Sequence, residues 1–118
     1  MKTKSVLIID DEEGIRESLQ LALELEGYDV HTAANGKEGL EVLDRIRRPC
    51  LILLDLMMPI MNGWEFAVAI GKSEPHKSIP VVVVSAFEDQ AQELPVRSVL
   101  KKPLDLSILL DVVDQWCA

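Results

Sequence analysis

The sequence predicts an α/β fold: a doubly wound sheet of five parallel strands with helices on both faces. Three observations predict it. Short apolar runs alternate with stretches of helical periodicity along the chain. The runs SVLII, LILL and VVVV are apolar on both faces, as buried parallel strands should be. The 118 residues show no repeat, low-complexity tract or linker, which fits one domain over residues 1–118 with its own core.

Each element follows from its residues. Ser5 to Ile9 is a short β-rich run. Ile15, Leu19, Ala22 and Leu23 fall at helical spacing, Leu21 and Leu25 broaden that stripe into a well-covered helix, and Gly27 suits its stop. Tyr28 to Ala33 alternates and reads as a strand nearer an edge. Gly36 to Arg47 carries Leu40, Leu43 and Ile46, a second helix that ends near Pro49. Leu51 to Leu54 is the third strand. Asn62 can cap a helix through Trp64, Phe66, Ala67 and Ile70 that stops near Gly71. Val81 to Val84 is the fourth strand and Val96 to Leu100 a weaker fifth. Between them FEDQAQEL lacks an apolar stripe and Pro95 cuts it off, so the helix expected there is short or irregular. Asp105 can cap a last helix bearing Leu106, Leu109, Leu110, Val113 and Trp116.

Bulk properties exclude several function classes. A net charge of −8 argues against a nucleic-acid surface, which needs a basic footprint. No run approaches the roughly 20 apolar residues of a membrane span, and the short run SVLII before Asp10 is too brief for a signal peptide. Cys50 and Cys117 have no metal-ligand spacing, so free thiols in a reducing, cytoplasmic setting are expected. His31, His76, Trp64 and Trp116 read as surface or packing residues.

In doubly wound sheets the working site lies at the carboxyl ends of the strands. Here the first strand ends on Asp10-Asp11, the third on Asp55, the fourth on Ser85 and the fifth on Lys101-Lys102-Pro103. Taken singly, an acidic pair is a helix cap, a serine a turn and a lysine a solvated loop residue. Together they form a set. Two or three carboxylates at one spot invite a hard divalent cation, Mg²⁺ or Mn²⁺, with oxygen ligands. A carboxylate beside such an ion can attack a phosphoryl group. The charge on the transferred group then needs the ion, an ammonium and a hydroxyl on its equatorial oxygens. That assigns Asp55 as nucleophile, Asp10 and Asp11 as metal ligands, Lys102 as the fixed cation and Ser85 as the hydroxyl.

The segments VLIIDDEEGIRESL, LILLDLMMPIMNGWEF, VVVVSA and LKKPLDLSILL resemble the receiver domain of bacterial two-component response regulators. The resemblance covers essentially the whole chain. It implies the flavodoxin-like strand order 2-1-3-4-5 with five helices. It implies that Asp55 accepts a phosphoryl group from a histidine kinase or phosphotransfer protein in a phosphorelay. It also implies that the Met57 carbonyl is a further metal ligand, that the bond before Pro103 is cis, and that a downstream effector or linked output domain reads the result. Met58 is then packing, while Met57 and Phe87 lie where attacking water would enter. The sequence departs from the family at Val99, where an aromatic residue is usual, and in the 16 residues between Ser85 and Lys102, a short interval. Two other readings compete. A phosphatase of the haloacid dehalogenase type needs an acid two residues after the nucleophile, where Met57 stands. A pseudo-receiver would bind partners without phosphorylation.

Overall fold

A computed structural model describes residues 4–86, 94 and 96–117. The strands are β1 (Ser5–Ile9), β2 (Asp29–Ala33), β3 (Leu51–Leu54), β4 (Val81–Ser85) and β5 (Ser98–Lys101). The helices among the described residues are α1 (Glu13–Leu25), α2 (Gly36–Leu43), α3 (Gly63–Gly71) and α4 (Leu106–Cys117). The strands form one parallel sheet in the order β2-β1-β3-β4-β5. The segment FEDQAQEL, with its expected short or irregular helix and with Phe87, lies outside the described residues apart from Leu94.

The apolar runs VLII of β1, LILL of β3 and VVVV of β4 divide their side chains between two cores, which is why no position in those runs is polar. On one face Leu7, Ile9, Ile52, Leu54, Val81 and Val83 pack with Leu43 of α2 and Phe66, Ala67 and Ile70 of α3. On the other, Val6, Ile8, Leu51, Leu53, Val82 and Val84 pack with Leu19 and Leu23 of α1 and Leu109 and Val113 of α4. The period-2 alternation of a strand sends neighbours to opposite faces.

Several boundaries differ from the sequence expectation. α1 buries Leu19 and Leu23, but Leu21 and Leu25 are 60% and 79% exposed. They sit two residues from the buried pair, which at 100° per residue is the far side of the helix. α2 stops at Leu43 rather than Arg47: the N–H groups of Arg45 and Ile46 both donate to the Val42 carbonyl, which closes the helix in a turn. β5 starts at Ser98 rather than Val96, because the Val96 N–H turns back to the Leu94 carbonyl at 2.8 Å. α3 begins in a capping box, with Asn62 and Glu65 each accepting the other's backbone N–H.

The cysteines are not free. Cys50, just before β3, and Cys117, at the end of α4, form a disulfide with a Cα–Cα distance of 5.3 Å. The expectation of two thiols failed because spacing along the chain carries no trace of where α4 lands. Its last turn packs on the same core as Cys50, which brings the two sulfurs together.

Candidate functional site

The parallel register brings the strand ends together. Ile9 pairs with Leu54, so Asp10 and Asp55, each the next residue, emerge side by side. The ladder runs on past both strands: the Asp55 N–H donates to Ile9 and the Asp10 N–H to Ala33. Ser85 pairs with Lys101, and the Lys102 N–H donates to the Ser85 carbonyl at 3.0 Å. Asp10, Asp55 and Ser85 are the buried polar residues of the described chain, and Asp11 is exposed beside them.

One carboxylate oxygen each from Asp10, Asp11 and Asp55 lies within 4.8 Å of the others. Oxygens on a Mg²⁺ octahedron stand about 3.0 Å apart when adjacent and about 4.2 Å when opposite, so the group must draw together for all three to reach one ion. Lys102 Nζ stands 3.0 Å from Asp10 Oδ2, 3.5 Å from Glu12 Oε1 and 3.6 Å from Asp55 Oδ1. The Lys102–Pro103 bond is cis, as the resemblance implied. Lys101 is exposed while Lys102 is mostly covered, which separates the two adjacent lysines.

Burial raises the Asp55 pKa from 3.8 to about 6, and the charge of Asp10 adds to this. Lys102 and the Leu56 N–H, which donates to Asp55 Oδ1 at 2.9 Å, oppose it. Burial works against the Lys102 ammonium too, but the hydrogen bond and charge of Asp10, with Asp55 and Glu12, outweigh it and hold its pKa above the usual value. Asp55 is thus an anion at neutral pH with a weakly stabilised charge, suited to attack an electrophile.

β3 ends because the chain turns at once into a tight loop. The Gly63 N–H donates back to the Leu56 carbonyl at 2.9 Å, and a Cβ on Gly63 would stand 2.7 Å from Leu56 Cα and closer still to the Asp55 carbonyl oxygen. Glycine is needed there for close backbone approach. Met57, two residues beyond Asp55, is 52% exposed, and Met58 packs on the α2–α3 core. Val99 is half-buried against the same core. Trp64 packs there as well, and Trp116 lies on the opposite core with Arg97 over its ring at 5.5 Å.

Two residues at the site escaped the sequence reading. Glu12 touches Lys102, and Arg16 Nη1 donates to the Asp10 carbonyl at 2.7 Å. The signal was a third acid after the pair and a basic residue one helical turn beyond it.

The chain is similar to known proteins. The response regulator receiver domain family matches residues 6–114. The chain is 39% identical over 92 residues to the transcriptional regulatory protein SrrA of Staphylococcus aureus, covering 78% of this chain and 36% of that protein. It is 39% identical over 85 residues to AfsQ1 of Streptomyces coelicolor, covering 72% of this chain and 36% of that one. It therefore spans little more than a third of the length of these relatives. Among solved structures it resembles chemotaxis protein CheY4 of Vibrio cholerae, with a TM-score of 0.88, 28% identity and coverage of 98% and 99%. It also resembles TrrA of Thermotoga maritima in complex with Mg²⁺-BeF, with a TM-score of 0.86, 30% identity and coverage of 97% and 99%. The acids, the hydroxyl residue and the lysine stand at the strand ends of a sheet that these proteins share, and the chain belongs to the receiver domain family of response regulators.

Proposed function

We propose that residues 1–118 act as one phospho-acceptor unit in which Asp55 takes a phosphoryl group from a histidine kinase or a phosphotransfer protein. The carrying observation is the burial of Asp55 at the end of β3, with Asp10 and Asp11 beside it and the Lys102 ammonium 3.6 Å away. An Asp55 carboxylate oxygen attacks phosphorus, the bond to the donor's nitrogen or oxygen breaks, and the donor leaves with that electron pair. Lys102 neutralises one phosphoryl oxygen, and Ser85, at the end of the neighbouring strand, offers a hydroxyl to another. Asp10, Asp11, Asp55 and the Met57 carbonyl would hold Mg²⁺ or Mn²⁺, which when bound supplies charge neutralisation for the transferred group. Hydrolysis of the aspartyl phosphate by water entering past Met57 resets the site.

The phosphorylated surface is then read by a downstream effector or a linked output domain in the cytoplasm, with no nucleic acid bound by this unit. No described helix is long and apolar enough to cross a membrane. Intact-mass spectrometry after incubation with acetyl phosphate and MgCl₂ tests the reading. The parent protein gains one phosphoryl mass and Asp55→Asn gains none. A folded parent that gains nothing would point to a module that works without phosphorylation.

A further inference from the structure

Asp10 is fixed on every side. Its Oδ1 accepts the Glu12 N–H at 2.9 Å and its Oδ2 accepts Lys102 Nζ at 3.0 Å. Its carbonyl accepts from Arg16 and its N–H donates to Ala33. It cannot swing to meet an incoming cation. The cation must come to it, and one of its oxygens is already covered by an ammonium. Two positive groups on one oxygen repel strongly in a partly desolvated site, so Lys102 has to move. Its backbone stays put, because the N–H is bonded to Ser85. The side chain alone can shift.

Glu12 offers that side chain a destination. Its carboxylate is 3.5 Å from Nζ, outside the Asp10, Asp11 and Asp55 group. Its side chain is 60% exposed and makes no cap to α1, so it is free to follow the ammonium. Glu12 and Lys102 both line a cavity of about 750 Å³ with Gly14, Ile15 and Pro103, which leaves room for the displacement. We propose that Glu12 is a positioning residue that draws the Lys102 ammonium off Asp10 when a divalent cation binds, and so raises cation affinity. This rests on the reading of Asp10, Asp11 and Asp55 as the cation site.

The test is a MgCl₂ titration followed by amide chemical shifts, in the parent and in Glu12→Gln, each with Lys102 intact and with Lys102→Met. With Lys102 intact, loss of the Glu12 charge weakens Mg²⁺ binding by about two- to five-fold, the range of a largely exposed ion pair. With Lys102→Met there is no ammonium to remove, and Glu12→Gln changes little. Equal weakening in both backgrounds would overturn the proposal, since Glu12 would then act through its own field. So would unchanged affinity with Lys102 intact. A folded parent that binds no Mg²⁺ would take down the cation site and this role together. That failure is distinguishable because it appears before any variant is compared.

Discussion

At the residue scale the buried charge of Asp55 has a thermodynamic signature. Its pKa rises on folding from 3.8 to about 6, so the fold favours the protonated form. Stability from this group is present in full below about 3.8 and is lost as pH climbs through about 6. By neutral pH the loss amounts to up to about 3 kcal/mol. Without Mg²⁺, Asp55→Asn is therefore more stable than the parent at pH 7.5, by up to about 3 kcal/mol, and the gap narrows toward pH 4. Urea denaturation at both pH values measures it, and a gap that does not change with pH would refute the assignment. The candidate group was legible in the sequence because its members sit at strand ends, and strand ends follow from hydrophobic pattern. Asp10, Asp55, Ser85 and Lys102 needed only the positions of β1, β3, β4 and β5. The contacts of Glu12 and Arg16 depend on side-chain reach across the top of the sheet, so their residue types alone did not place them.

At the element scale the loop between β3 and α3 does the shaping. The strands could be read from their apolar runs, but element ends such as Leu43 of α2 and Ser98 of β5 could not, because single backbone hydrogen bonds decide them. The loop also holds a conformation the sequence does not favour. Ile60 has φ of 69°, in the left-handed region, where a β-branched side chain crowds its own backbone. It is held there from both sides, with the Met61 N–H on Pro59 and the Gly36 N–H on the Met61 carbonyl. The Ile60 side chain is 76% exposed, so its removal forfeits little packing. Ile60→Asn, which tolerates this φ, is expected to raise stability by about 0.5–1 kcal/mol. Thermal denaturation checks it, and a lowered midpoint would mean that the side chain supports the loop after all.

At the scale of the whole molecule the two-core plan was legible, because runs such as LILL and VVVV leave no face for water. The disulfide was not, because two cysteines 67 residues apart meet only once α4 has docked. A cross-link over that span removes enough unfolded-state entropy to contribute about 4 kcal/mol in the chain-entropy account. Cys117→Ser, or the parent with a reductant, should unfold at a lower urea midpoint by roughly that free energy. Equal midpoints with and without reductant would show that the link does not form in solution.

The same link changes how the molecule would bear a load. Tension applied at the end of α4 passes through Cys117 to Cys50, at the foot of β3, and leaves the helix slack. Tension from the other end enters at Ser5, whose carbonyl accepts the Cys50 N–H at 2.8 Å. The two forces meet at the same end of adjacent parallel strands, so β1 and β3 part like a zipper, one hydrogen bond at a time, rather than in shear. The segment inside the link cannot lengthen. A pulled oxidised molecule falls short of its full contour by about 240 Å, at roughly 3.6 Å for each locked residue, and recovers that length only when the link is reduced.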